Sequence, residues 1–233
     1  DARLIAGGQT LLATLNLRLS EPSILIDITN LDELKGISVV GDQLRIGALV
    51  THTEIEDSKL VAQHAPLLKA AVPHVAHRAI RNLGTWGGSL AYGDPAAEWP
   101  ACSLTLNATM VIAGPDGERR ISAQDFFIDL YTTSLEPNEI LVATEFPVAN
   151  SNQVFYFHEL ARRHGDYAVA GIALLANKQG NVLSDCAFTF FSVGATPVMA
   201  LKAQSLVNGK PLSAELIASA VAAARDEIEA IAD

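Results

Sequence analysis

Two short stretches of this chain carry residues suited to holding a phosphate-bearing ligand. The first is Ala6-Gly7-Gly8-Gln9-Thr10, set between an apolar strand-like segment and a helical pattern. A pyrophosphate needs bare backbone N–H groups at close range. Glycine supplies them because no Cβ blocks the approach and positive φ is open to it. The helix that follows adds the partial positive charge of its N-terminus, and Gln9 and Thr10 add side-chain donors. The second stretch is Ile80-Arg81-Asn82-Leu83-Gly84-Thr85-Trp86-Gly87-Gly88-Ser89, which offers further accessible amides and the Thr85 and Ser89 hydroxyls. Two such loops, far apart in sequence, suit one extended diphosphate cradled from both sides. Neither is the G-x-G-x-x-G of a Rossmann unit, and no Gly-Lys-Ser/Thr of a P-loop occurs. A lone Gly-Gly pair also fits a tight strand-to-helix turn. Asp94 and Glu98 follow shortly. Ionised carboxylates there accept hydrogen bonds from sugar or polyol hydroxyls, although turn and helix-cap chemistry accounts for the same residues.

The elements that must position these residues are legible in outline. Leu4-Ile5-Ala6 reads as the end of a buried strand, and Leu11, Leu12, Leu15 and Leu19 recur at helical spacing. Ile24 to Ile28 reads as a buried strand, and Ile37–Val40 with Leu44–Ala48 as a hairpin around Gly41-Asp42. A short polar helix starts at Thr53, and a second runs from Leu60 to Val72. Strands are expected at Ala108–Ala113 and Arg119–Ile121, around the Pro115-Asp116-Gly117 turn, and at Ile140–Phe146, stopped by Pro147. The polar Asn150-Ser151-Asn152 marks a domain boundary. Beyond it three strands (Val154–Leu160, Ala168–Ala176, Cys186–Val193) precede helices. The last helix is capped by Ser213, with Leu216, Ile217, Ala220, Val221, Ala224, Ile228 and Ile231 as its apolar stripe. The fold class is α+β: a two-lobed domain over residues 1–148 and a smaller domain over 151–233 with a three-stranded antiparallel sheet and helices.

Composition narrows the function classes. The chain has 233 residues, 49% of them apolar, enough for a sizeable core. Its net charge of −10, from 16 basic and 26 acidic residues, argues against nucleic acid or an anionic membrane as partner. No apolar run reaches the ~20 residues of a membrane span. Cys102 and Cys186 stand far apart in no paired motif, so neither a disulfide framework nor a cysteine-held metal site is expected, and a cytoplasmic setting fits. The chain opens without an initiator Met, and its final helix reaches Asp233 without a stop signal. Further residues are expected at both ends.

Taken together, the glycine stretches resemble the flavoprotein subunit of the xanthine dehydrogenase and aerobic carbon monoxide dehydrogenase family, the molybdenum hydroxylases. The second stretch, continuing through Leu90-Ala91-Tyr92-Gly93-Asp94-Pro95-Ala96-Ala97-Glu98, is the specific one. The resemblance continues in Asn138-Glu139-Ile140-Leu141 and in Arg162-Arg163-His164-Gly165-Asp166-Tyr167-Ala168, and covers nearly the whole chain. It implies a PCMH-type FAD domain, similar to that of vanillyl-alcohol oxidase type flavoproteins, and a carbon monoxide dehydrogenase flavoprotein-like second domain. It also implies a set of cofactor contacts. Leu4, Ile5, Ala6, Gly7, Gly8, Gln9, Thr10 and Leu11 line the diphosphate. Asn82, Gly84, Thr85, Gly87, Gly88 and Ser89 close from the other side. Glu98 and Asp94 meet the hydroxyl-bearing part, Leu141 the adenine or ring end, and Tyr167 one face of the isoalloxazine.

The implied assembly has a large subunit holding the molybdenum cofactor and a small subunit with two [2Fe-2S] clusters, as a dimer of heterotrimers. This chain is expected to pass electrons through FAD to an external acceptor, with no catalytic residue of its own and no metal. His158 stands where some relatives carry a lysine, and Val75 where xanthine dehydrogenases place an aromatic, so neither receives a role. Trp86 either stacks on a ring or packs between the two lobes. His74 and His77 have a spacing that fits a metal, with no third ligand in view, and the other histidines look scattered. A stand-alone FAD oxidase or reductase and a cofactor-free scaffold are the competing readings.

Overall fold

The computed structural model describes residues 2–228. Asp1 and Ile231, the last position of the expected terminal stripe, lie outside them. The amino-terminal lobe is β1 (Ala2–Ile5), α1 (Leu11–Asn16) and β2 (Ile24–Asp27). Its two strands pair in parallel, with Leu4 opposite Ile26. They were expected to be buried. Instead Leu4, Ile24, Leu25 and Ile26 are 42–59% exposed. Two strands and one short helix cannot cover both faces of a sheet, so one apolar face stays open. The helix also stops early: Arg18 turns to φ 56°, and Leu19 falls outside the expected stripe.

The larger lobe holds the core. β3 (Ile37–Val40) and β4 (Gln43–Gly47) form the expected hairpin. The helices α2 (His52–Asp57), α3 (Lys59–His64), α4 (Pro66–Ala71), α5 (Arg78–Arg81), α6 (Trp86–Tyr92) and α7 (Glu98–Thr105) follow. Then come β5 (Thr109–Gly114), β6 (Gly117–Ser122), α8 (Ala123–Phe126), β7 (Phe127–Asp129), β8 (Thr132–Thr133) and β9 (Ile140–Pro147). The main sheet has the order β3-β4-β9-β5-β6 and is antiparallel throughout. Leu44, Ile46, Met110, Ile112 and Phe146 line its covered face, against Leu67, Leu68, Trp86 and Trp99 from the helices. The apolar run expected as one helix over 60–72 is split. Pro66 has no N–H to continue α3 and instead opens α4 at its first position.

The carboxyl-terminal part contains β10 (Gln153–Ala161), β11 (Ala168–Gln179), β12 (Val182–Phe191), β13 (Val198–Met199), α9 (Leu201–Val207) and α10 (Ala214–Glu227). The three expected strands are present and antiparallel, and β13 adds a short fourth. One face packs on the main core through Phe157, Ala173 and Phe191. The other packs on α9 and α10 through Phe188, Ala203, Ala220 and Ala224. Ser213 caps α10 as expected, its hydroxyl accepting the Leu216 N–H. Only part of the expected stripe is covered, since Ile217 and Val221 are 50% and 55% exposed.

Candidate functional site

The two glycine stretches meet. Gly7 lies so close to the second that a Cβ on it would stand 1.8 Å from the Leu83 carbonyl oxygen. Only glycine permits that approach. Gly8 adopts φ +69°, turning the chain from β1 into α1. The backbone N–H groups of Gly7, Gly8, Gln9 and Thr10 have no acceptor among the described residues. Successive free amides beside a left-handed residue are the kind of backbone that anion-binding nests are built from. The Gln9 side chain, through Nε2, donates to the Gly7 carbonyl at 3.1 Å, bracing the turn.

The second stretch is built differently from expectation. Its amides are largely committed to the protein: Trp86 donates to Val50 at 2.8 Å and Gly87 to Ala48 at 2.8 Å. Thr85 caps α6, its hydroxyl accepting from Gly88 at 3.2 Å. The Ser89 N–H bonds the Thr85 carbonyl. Gly87 is needed for packing, since a Cβ there would lie 2.4 Å from that of Ala48. Gly84 sits against the His52 ring, and Asn82 accepts the Thr53 hydroxyl at 2.8 Å. Arg81 anchors the run from below. It donates to the Val75 and Ala76 carbonyls, each at 2.9 Å, and to Glu56 at 3.1 Å. Trp86 neither stacks on the cleft nor packs between the lobes. It is fully buried in the larger lobe between Trp99 and Phe146, and its indole donates to Thr144 at 2.8 Å.

Beside this junction lies an open cleft of about 260 Å³. Gln9, Thr10, Ala13, Thr14 and Leu17 line one side, and Tyr92, Asp94, Ala96, Tyr131 and Tyr167 the other. The size falls just below that of a complete small-molecule pocket, ~300–1,000 Å³, and suits one section of an elongated cofactor. Tyr167 is 68% exposed, leaving its ring free to meet a ligand. Tyr92 and Tyr131 face each other at 5.1 Å. Asp94 accepts the Ala96 N–H at 2.9 Å, and burial raises its pKa above the ordinary carboxylate value.

The cleft therefore brings Gln9, Thr10, Asp94 and Tyr167 together. Glu98 lies just behind it, buried at the start of α7. Leu141 sits elsewhere, 3% exposed in β9 within the main core. Sequence reasoning missed Thr14, Ala13 and Leu17, although Thr10, Ala13, Thr14 and Leu17 follow helical spacing opposite the leucine stripe. It also missed Tyr92, inside the quoted motif, and Tyr131, for which no local signal exists.

Three buried titratable groups are shifted strongly, and for the Cys102 thiol burial pushes the value well up. His52 is pushed down to about 3 by burial and by the Arg81 charge, so it stays neutral and its Nδ1 accepts the Trp99 indole N–H at 3.0 Å. Burial, then the charges of Glu159 and Asp94, pushes Glu98 up to about 8. Between its ordinary value of 4.5 and about 8, the folded state binds a proton there that the unfolded state has released. This contribution to stability is full below the ordinary value and is lost as pH rises toward 8. Denaturation midpoints are expected to fall over that window, and Glu98→Gln to flatten the fall. A variant profile as steep as the parent's would contradict the assignment.

The amide nest, the glycine contact and the tyrosine cleft fit a flavin dinucleotide, and comparison with known proteins agrees. Residues 1–149 match the family described as the FAD binding domain in molybdopterin dehydrogenase. Residues 155–233 match the CO dehydrogenase flavoprotein C-terminal domain. The chain belongs to the FAD-binding medium subunits of the molybdenum hydroxylase family. Its cofactor is FAD. It is 38% identical to the nicotine 6-hydroxylase medium subunit of Paenarthrobacter nicotinovorans, over all of this chain and 82% of that protein. It is 36% identical to the carbon monoxide dehydrogenase medium chain of Hydrogenophaga pseudoflava, over 96% of this chain and 78% of the relative.

Solved structures of the family superpose closely. Carbon monoxide dehydrogenase from Hydrogenophaga pseudoflava gives a TM-score of 0.98 at 36% identity, covering 100% of this chain and 81% of that one. Quinoline 2-oxidoreductase from Pseudomonas putida 86 gives 0.95 at 40% identity, with coverage of 100% and 81%. Members of this family are oxidoreductase subunits of larger complexes. Among the described residues no helix is long and apolar enough to cross a membrane, and no cluster of His, Cys, Asp and Glu is arranged to hold a metal.

Proposed function

We propose that this chain takes electrons one at a time from the iron–sulfur clusters of a small partner subunit and passes them through FAD to an external acceptor. A large subunit with the molybdenum cofactor performs the substrate hydroxylation, and two such three-subunit units assemble in the cytoplasm. In this reading residues 1–148 form the FAD domain and 151–233 the smaller domain. FAD supplies the redox chemistry when bound; the protein supplies position and electrostatics.

The observation that supports the reading most is the four free amides at Gly7–Thr10, held against the Leu83–Gly84 backbone. In this reading the Leu4–Leu11 turn binds the diphosphate. Asn82, Gly84, Thr85, Gly87, Gly88 and Ser89 form the opposing wall, with Gly87 acting through its packing on Ala48. Asp94 and Glu98 accept from the hydroxyl-bearing part. Leu141 supports the wall from within the core, and Tyr167 covers one ring face.

The test is a flavin spectrum on the purified protein, identification of the released cofactor, and co-purification with molybdenum and iron–sulfur subunits. Release of FMN, or of no flavin, would overturn the assignment. Tyr167→Ala is expected to weaken FAD binding about 2- to 12-fold, as loss of one aromatic contact of ~0.5–1.5 kcal/mol predicts. It should also speed reoxidation of the reduced protein by small acceptors. Unchanged affinity and reoxidation would remove Tyr167 from the site.

A further inference from the structure

Tyr167 lines the cleft yet is largely exposed, so its place there depends on the backbone that carries it. That backbone is held on both sides. On the carboxyl side the anchor is Ser192, the residue after β12. Its hydroxyl donates to the Ala168 carbonyl at 2.5 Å, one residue past Tyr167. Its N–H donates to the Pro95 carbonyl at 2.8 Å, one residue past Asp94. Asp94 and Tyr167 share one wall of the cleft, and Ser192 ties these two sequence-distant stretches together. The β11–β12 ladder ends at the Gly171–Phe191 pair. Past it, the connection to Ala168 is made by the Ser192 side chain. On the amino side, the Arg163–Asp166 turn, closed by the Asp166 N–H on the Arg163 carbonyl, rests on the 75–77 loop. Gly165 there adopts φ +84°, and a Cβ on it would stand 2.7 Å from the His77 ring and 3.1 Å from the Ala76 carbonyl oxygen. Arg81, buried and bonded to Glu56, fixes that loop from beneath through the Val75 and Ala76 carbonyls. Two non-glycine residues of this arrangement are left-handed, Ser192 at φ 60° and Ala76 at φ 45°. Such backbone persists only where the surroundings over-determine it, and it clusters at functional sites. Glycine would suit the Ser192 backbone better. What serine adds is a hydroxyl, and the hydroxyl goes to Ala168.

We propose that Ser192 and His77 are positioning residues that hold Tyr167 at the cleft. Ser192 fixes the segment after Tyr167 to the Asp94–Pro95 turn, and His77 seats the turn before it. The inference rests on the reading of Tyr167 as the cover of one flavin face. Neither residue lines the cleft itself; each acts through the backbone on its own side of Tyr167. Held in this way, an exposed ring keeps one orientation without being buried. Freed on either side, it samples solvent, and the cost of ordering it falls on cofactor binding.

Ser192→Gly removes the hydroxyl, keeps the N–H and suits the left-handed backbone, so its denaturation midpoint should stay near the parent's. Hydrogen exchange of the holo-complex, followed by mass spectrometry, reads residues 162–170 directly. Exchange there is expected to rise about fivefold or more in Ser192→Gly and in His77→Ala. Parent-level exchange in either variant removes that residue from the role, and in both it overturns the proposal. Flavin titration of the deflavinated complex tests the link to the site. Ser192→Gly is expected to weaken FAD about 2- to 5-fold. It should also raise the fluorescence of the bound flavin, which an overlying phenol ring quenches. In a Tyr167→Ala background the same substitution should change neither. An undiminished effect in that background, or none in the parent, overturns positioning through Tyr167. Should Tyr167→Ala alone leave affinity and fluorescence at parent values while exchange responds, the flavin reading of Tyr167 fails and the clamp stands. A parent complex without FAD overturns the functional reading itself, and exchange measured on it still decides the clamp.

Discussion

A Gly7→Val variant is expected to keep its main core and lose FAD. The added Cβ would fall 1.8 Å from the Leu83 carbonyl oxygen, inside any permissible contact. The obstacle is backbone, which cannot swing aside as a side chain does. The β1–α1 turn must therefore lift away from the second stretch and carry the Gly7–Thr10 amides with it. Each charge-assisted hydrogen bond to a phosphate contributes ~1.5–3 kcal/mol. Loss of two weakens binding by roughly 10²–10⁴-fold. The amino-terminal lobe adds no residue to the main buried cluster, so unfolding by denaturant should change little. Flavin titration of deflavinated protein, with circular dichroism as control, checks both halves. Stoichiometric FAD at parent affinity would show that the amide turn does not hold the cofactor.

The second large effect is structural. Trp86→Ala is expected to cost ~3–5 kcal/mol, the usual loss for a large aromatic removed from a packed core. Trp86 is fully buried, 5.0 Å from Trp99 and 5.7 Å from Phe146 by ring centroid. Trp86→Phe should retain part of the packing yet leave the buried Thr144 hydroxyl without its donor, at ~1–3 kcal/mol. Guanidinium unfolding of both variants gives the comparison. A cost below ~1 kcal/mol for the alanine would mean that the indole is not packed as described. Because Trp86 opens α6, the alanine variant should also loosen FAD. Its unfolding cost is what separates this variant from Gly7→Val.

The contrast between these residues shows what was legible beforehand. Gly7 and Gly8 follow a strand and precede a helix, and that local pattern announces a backbone able to approach a phosphate. The motif from Asn82 to Glu98 is equally local and specific, and it led to the right family. The hairpins, the three antiparallel strands and the Ser213 cap were readable for the same reason. Turn chemistry and period-two alternation are properties of short segments.

Side-chain destinations were not readable in this way. Trp86 and Gly87 sit inside a ligand-like motif but face the core, because Ala48 and Val50 claim their amides. Leu4 and Ile24–Ile26 are as apolar as any core strand but remain exposed, since burial depends on a second layer that no local pattern reports. Tyr131 reaches the cleft from a loop some forty residues beyond the glycines. Glu159 meets His74 across 85 residues of chain. Short-range geometry along the polypeptide thus specified the cofactor class and the kinds of element. Which groups share one cleft, and which carboxyls lie buried, was decided by long-range packing, because desolvation and Coulomb forces act through space and not along the chain.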